Sequence, residues 1–170
     1  FAYMKKLRPN VQLYTKSGGG GTLPVGLGQA GGGIFFIVDA LDTTALALDL
    51  DLETHKVALY TNSLTGADLV TDTAYGVGAW ASNEVPTATG YTAGGVALTG
   101  TTYTSTGSGV TKFDGTDTPW TSSTFSSVRG CLVYADALAG NNGIIAVTFG
   151  GDYAVTAGTF TIQWDASGVF

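Results

Sequence analysis

Residues 143–170, GIIAVTFGGDYAVTAGTFTIQWDASGVF, alternate apolar and polar side chains with a period of two. Ile145, Val147 and Phe149 alternate with Ala146 and Thr148, and Phe160, Ile162 and Trp164 alternate with Thr159, Thr161, Gln163 and Asp165. Successive side chains of an extended strand point to opposite faces, so the pattern lays one apolar face on a core and leaves Thr and Gln on the other. Gly150-Gly151 and Ala157-Gly158 interrupt it, with Tyr153 and Val155 in a short run between them. Turn residues separating short runs predict a small antiparallel meander.

The rest of the chain reads in the same way. Ile34–Val38 is continuous, β-branched and aromatic, which predicts a buried strand. Leu46, Leu48, Leu50 and Leu52 alternate with Ala47, Asp49, Asp51 and Glu53, which predicts a strand with a leucine face and an acidic face. Clustered carboxylates suit calcium, but side chains two apart on a flat strand lie about 6.5–7 Å from each other, too far to share one ion. A solvated acidic face is the simpler reading, with His55 an ordinary surface histidine beside it. Val57, Leu59 and Tyr60 predict the next strand, ended by Asn62 and Gly66.

Between Gly66 and Gly95 the pattern dissolves into a long segment carrying Tyr75, Trp80, Pro86 and Tyr91. Long loops in small domains are commonly functional or pinned against a partner. Its aromatic residues Tyr75, Trp80 and Tyr91 are candidates for a protein interface, with sugar stacking the alternative. Residues 95–106 and 110–113 predict a hairpin around Gly107-Ser108-Gly109, and the aspartates of the loop 114–119 predict turn caps. Trp120 and Phe125 bracket a Thr/Ser-rich stretch. Val128–Tyr134, apolar on both parities apart from Arg129, predicts a central strand whose arginine pairs with a carboxylate. The single cysteine, Cys131, excludes an internal disulfide and sits in an apolar setting that predicts a buried core residue.

Twenty-six glycines and 12% charged residues suit short strands joined by tight turns, and so low a charge suits a protein that covers much of its surface with neighbours. No apolar run reaches the eighteen or so residues that span a membrane. The net charge of −6 is uneven: Lys5, Lys6, Arg8 and Lys16 lie in the first sixteen positions without one acid, and three basic residues face thirteen acids in the remainder. A basic arm on an acidic body predicts docking on a negative surface, and four charges favour an acidic protein surface over nucleic acid. The chain opens on Phe1, and Met4-Lys5-Lys6 resembles a translation start. We divide it into a basic, glycine-rich arm, 1–33, and a β-sandwich domain, 34–170.

Catalytic signatures are not found. Gly26-Leu27-Gly28-Gln29-Ala30-Gly31 matches the dinucleotide fingerprint letter for letter, but a strand-like run follows where that motif needs a helix. One His and one Cys far apart make no zinc site, a Ser-His-Asp triad would have only His55, and no G-x-S-x-G or phosphate-loop sequence occurs. No enzyme activity, cofactor or metal is expected.

The succession HKVALYTNSL, TAYGVGAWASNEVPTATGYTAGGVALTG, FDGTDTPWTSSTFSSVRGCLVYAD and IIAVTFGGDYAVTAGTFTIQWDASGVF resembles a group of small structural proteins of tailed bacteriophages, over about residues 54–170. W-x-S-x-T-F-x-x-x-R-G, from Trp120, and G-T-F-T-I-Q-W-D, from Gly158, are its most specific parts. The resemblance implies a virion setting and no catalytic residues. Together with the strand pattern it leads to an all-β expectation: an antiparallel β-sandwich of jelly-roll type with an extended glycine-rich N-terminal arm. The expected role is a capsid decoration (cement) protein on the outer surface of the head. Its expected partners are the major capsid protein and copies of itself, as a homotrimer, with no nucleic acid and no membrane. A tail or neck component and a carbohydrate-binding module of a tail fibre are the alternatives.

Overall fold

The structure, a computed structural model, describes residues 31–32, 48–67, 69, 71–105 and 111–169. The basic residues of the arm and the expected strand Ile34–Val38 lie outside the described residues. No α-helix occurs among the described residues; the nearest approach is a 3-10 turn at Gly78–Ala81. The strands are β1 (Gly31–Gly32), β2 (His55–Thr61), β3 (Val96–Leu98), β4 (Thr102–Ser105), β5 (Thr111–Asp114), β6 (Thr118–Ala135) and β7 (Gly143–Ile162). Strands β7-β6-β2-β3 form an antiparallel sheet, the two residues of β1 pair on the far edge of β7, and β4 and β5 form a separate two-stranded hairpin.

The all-β, antiparallel expectation holds, and parity explains why the main sheet is stable. Val57, Leu59, Cys131, Val133, Ile145 and Val147 point into one apolar cluster, while Ala58, Tyr60, Leu132, Tyr134 and Ala146 point into a second on the opposite face. A run apolar on both parities is what a strand buried on both faces needs. The layers over those faces differ. Hairpin β4–β5 reaches the first cluster through Phe113, with Val85, Tyr91, Leu98 and Val169 beside it. The second is covered by irregular chain, through Leu64, Ala67, Leu69 and Trp80. Among the described residues, then, a loop stands where a jelly roll would place part of its second sheet.

Four sequence expectations are corrected. The C-terminal meander is one continuous strand, β7, twenty residues long, paired along its length with the eighteen-residue β6. Glycine pairs that resemble turns instead bend the strand: Gly150 (φ 73°) and Ala157 (φ 47°) take left-handed backbone, as do Ser122 and Ser127 of β6. The pairing of β6 with β7 shifts register at five places, between Trp120 and Ser123, Ser123 and Phe125, Phe125 and Val128, Val128 and Gly130, and Val133 and Tyr134. Extra residues of this kind are absorbed as bulges and sharpen strand twist. Thr118 and Pro119, expected in a loop, open β6 beyond the reach of β2, so the missing proline N–H removes no bond to that neighbour.

The leucine-and-acid segment is a turn where it is described. Asp49 Oδ1 accepts from the amides of Asp51 (3.3 Å) and Leu52 (3.2 Å), and Glu53 N donates to Asp49 O (3.2 Å). Leu50 is buried whereas Leu52, of the same parity, is 84% exposed. A short carboxylate that bonds its own backbone two and three residues on stabilises the turn over the strand. His55, expected on the surface, is fully buried. Its Nε2 lies 3.1 Å from Leu50 O, its ring meets Phe113 edge-on at 5.6 Å, and Nδ1 has no partner. Burial pushes the imidazole pKa below its ordinary value of 6.5.

Of the expected hairpin 95–106 with 110–113, the first part, Val96–Leu98, pairs with β2 instead, and other local readings agree with the structure. Cys131 is buried, and burial raises its thiol pKa. Arg129 Nε lies 2.6 Å from Asp152 Oδ1. Hairpin β4–β5 pairs Thr102 with Asp114 through Ser105 with Thr111. Asp117 Oδ1 accepts from Trp164 N (3.1 Å), and Asp114 Oδ1 from Gly115 N (2.9 Å).

Candidate functional site

Strands β6 and β7 have two halves of different character. From Val128 to Ala135 and from Gly143 to Thr148 nearly every residue is buried. Beyond them, β2 no longer pairs with β6, and among the described residues the outer half of the hairpin continues with its own two strands alone. Its inward side is aromatic. Phe160 lies 5.9 Å from Trp120, 5.5 Å from Phe125 and 6.1 Å from Phe149, and Tyr153 meets Phe149 edge-on at 6.1 Å. Such tilted and edge-on contacts suit the ring quadrupole and stiffen an otherwise two-stranded ribbon.

The bend of β7 brings its middle, Val147–Tyr153, towards its C-terminal end and the residues that follow it, around a groove of about 350 Å³. Its apolar lining comes from Val147, Phe149, Tyr153, Phe160, Ile162 and Trp164, and its polar lining from Thr148, Thr161, Gln163 and Asp165. Trp164 is held by donating Nε1–H to Thr118 Oγ1 (3.0 Å), and Asp165 Oδ1 accepts from Ser167 N (2.8 Å). Tyr153 remains 49% exposed. The groove therefore offers ring faces, hydroxyls and an amide, and the one carboxylate in it is already engaged.

The opposite side of the same ribbon is uncharged along β6. Between Thr118 and Val128 the exposed residues are Pro119, Thr121, Ser122, Thr124, Ser126 and Ser127. Hydroxyl-bearing side chains can bond a neighbour without the desolvation cost of a buried charge.

The aromatic residues singled out in the sequence lie elsewhere. Trp80 and Tyr91 are 1% and 2% exposed, so neither offers a ring to a partner in this structure. Trp80 packs edge-on against Tyr60 at 5.1 Å, and its carbonyl accepts from Tyr60 Oη (2.9 Å). Tyr75 is half-buried and stacks on Tyr134 at 4.5 Å and 10°. The three do not form one platform, but Glu84 ties two of them together. Its Oε2 accepts from Tyr75 Oη (2.7 Å), and its Oε1 from Tyr91 Oη (2.7 Å) and Gly94 N (2.6 Å). Burial and the bonded carboxylate push the Tyr75 phenol up to about 12, and the same causes raise Tyr91 further. Tyr91 Oη also accepts from Leu59 N (2.9 Å), which fastens the long loop to β2. These bonds hold the loop against β2.

Lys5, Lys6, Arg8 and Lys16 lie outside the described residues. The groove residues Phe149, Tyr153, Phe160 and Trp164 were visible in the sequence only as core positions of a meander; aromatics facing each other across Gly150-Gly151 were the available signal. Among the described residues no three metal-ligating side chains gather, and no helix is long and apolar enough to cross a membrane. No protein-family model, curated protein or solved structure matches the chain.

Proposed function

We propose that this chain is a structural virion protein of a tailed bacteriophage, a decoration (cement) protein that stabilises the head by bridging major capsid subunits from the outer surface, as a homo-oligomer. The observation that carries this reading is the stiff β6–β7 ribbon with its uncharged Thr/Ser face. A strand surface free of charge along β6 suits repeated small contacts on a lattice, where several modest interfaces act together. The sequence resemblance over residues 54–170 supplies the virion setting. In this reading the fold is a jelly-roll-type sandwich in which hairpin β4–β5 contributes to the second layer.

The test is the copy number in purified particles, by quantitative mass spectrometry against the major capsid protein. Hundreds of copies in simple proportion to capsid subunits are expected. A few to a few tens would assign the protein to the neck, tail or fibres, and absence from particles would end the virion reading.

One observation favours a second reading, a glycan-binding module. The groove presents Tyr153 and Trp164 with hydroxyls and an amide beside them, the mixture that binds sugars by stacking and hydrogen bonding. Glycan-array binding lost on Tyr153→Ala would support it in place of cement.

A further inference from the structure

We propose that Asn142-Gly143, where β7 begins, is a self-modification site: the asparagine deamidates through a succinimide, and the docked residues 73–75 hold the reaction shut. The inference does not depend on the virion reading.

The chemistry needs this pair of residues and water. The Gly143 nitrogen gives up its proton to solvent base and attacks Asn142 Cγ. A new N–C bond forms, the bond from Cγ to the side-chain nitrogen breaks, and that nitrogen leaves as ammonia with a proton from water. Water then opens the five-membered succinimide at either carbonyl, leaving aspartate or isoaspartate at 142. A following glycine favours the attack, because no side chain obstructs its nitrogen and its backbone is permissive. Of the chain's asparagines only Asn142 precedes a glycine; Asn62 precedes Ser63, Asn83 precedes Glu84 and Asn141 precedes Asn142.

Packing asks for that glycine. Gly143 is buried opposite Tyr134 of β6. A Cβ on it would stand 2.6 Å from Leu69 Cδ2 and 3.5 Å from both Leu132 Cδ1 and Thr73 O. Leu69 is itself buried in the second cluster, so a larger residue at 143 would have to displace it. The reactive neighbour therefore stands beside Asn142 for a structural reason.

The same packing is the latch. The Gly143 amide donates to Thr73 O (2.8 Å), which holds the proton that the reaction must remove. Asn142 O accepts from Ala135 N (2.8 Å), Asn141 O accepts from Tyr75 N (2.9 Å), and Ala74 bridges antiparallel to Asn142. The Asn142 side chain lies back over the turn, its Oδ1 2.8 Å from where a Cβ on Gly140 would stand. Main chain bonded on both sides is not free to turn Gly143 N onto Cγ, so the reaction waits for residues 73–75 to lift. They are irregular chain outside the named strands, the kind of element that opens locally while a sheet stays closed. Isoaspartate routes the main chain through the former side chain, one methylene longer. The bonds to Thr73, Tyr75 and Ala135 then no longer meet their partners together, and the opening is recorded irreversibly.

The test follows Asn142 by peptide mapping of the full chain, incubated at mildly alkaline pH either folded or in denaturant. In denaturant Asn142 is expected to convert ahead of Asn62 and Asn83, and in the folded protein at least about 10-fold more slowly than in denaturant. Conversion no faster than that of Asn62 and Asn83 in denaturant, or equal rates folded and unfolded, overturns the proposal without any variant having to fold. Leu69→Ala, which empties the space over Gly143, is expected to raise the folded rate at least about 3-fold. Val133→Ala, a truncation in the opposite cluster, is expected to leave it slow. Equal acceleration by both would assign the rate to global unfolding and overturn the latch. In the isolated isoaspartyl chain the amides of Tyr75 and Gly143 are expected to exchange at least about 10-fold faster than in the unmodified protein. Unchanged exchange there would show that the modified chain redocks, against the proposal.

Discussion

The inner and outer halves of the β6–β7 hairpin are made from the same two strands and serve opposite ends. The inner half lies between two apolar clusters and is hydrogen-bonded to β2 as well; the outer half has aromatic packing on one side and hydroxyl groups facing water on the other. Residues that hold the fold and residues free to meet a neighbour are thus separated along one ribbon rather than mixed. A substitution should accordingly report on stability or on binding according to how far along the ribbon it lies.

The largest effect is expected in the inner half. Leu132→Ala removes a fully buried side chain from the second cluster and should cost about 2–5 kcal/mol in denaturant unfolding. A loss below about 1 kcal/mol would mean that the loop layer over that face collapses into the space, and the contrast between halves would weaken.

Next comes the knot that fastens the loop. Tyr91→Phe leaves Leu59 N without its acceptor and Glu84 without one donor, at an expected cost of about 1–3 kcal/mol. Phenylalanine fills the same ring volume, so packing loss does not contribute. The same unfolding curves would show it.

A smaller, pH-dependent effect should come from His55. Its folded pKa is lowered, so the unfolded chain binds the proton more readily. The stability this gives is complete above about pH 6.5 and is lost as pH falls from there through the lowered folded pKa. One proton limits the slope to about 1.4 kcal/mol per pH unit. Melting curves between pH 7.5 and 5.5 should converge for wild type and His55→Gln as the pH falls. Parallel curves would show that His55 contributes no proton linkage.

The outer half should barely register in unfolding. Thr121→Glu with Ser126→Glu, both exposed, is expected to change stability by less than about 0.5 kcal/mol. On the cement reading it should nevertheless remove the protein from particles, because each new charge would have to be buried against the capsid. Unaltered occupancy would show that the uncharged face does not dock.

The same division marks what was legible in the sequence. β2 and the inner part of β6 were plain, because residues buried on both faces give runs apolar on both parities with no competing pattern. The ion pair of Arg129 was legible too, a lone cation at the start of such a run having little else to do. Gly150-Gly151 misled because glycine reads as a turn whether the chain reverses or only bends. Leu50 and Leu52 misled because alternation alone does not register that Asp49 can cap its own backbone. Trp80 and Tyr91 lie in a segment without periodicity, where nothing marks an aromatic as inward. His55 depended on Phe113, nearly sixty positions away, coming to rest against its ring.

The five register shifts between β6 and β7 have a mechanical consequence. A ladder of uniform pitch can be drawn past itself two residues at a time, each stop restoring every side chain to its proper face. Unevenly spaced notches mesh in one position only. Pulled lengthwise, the hairpin has no intermediate stop at which part of its bonding is recovered, so the whole ladder resists together, as a keyed joint does.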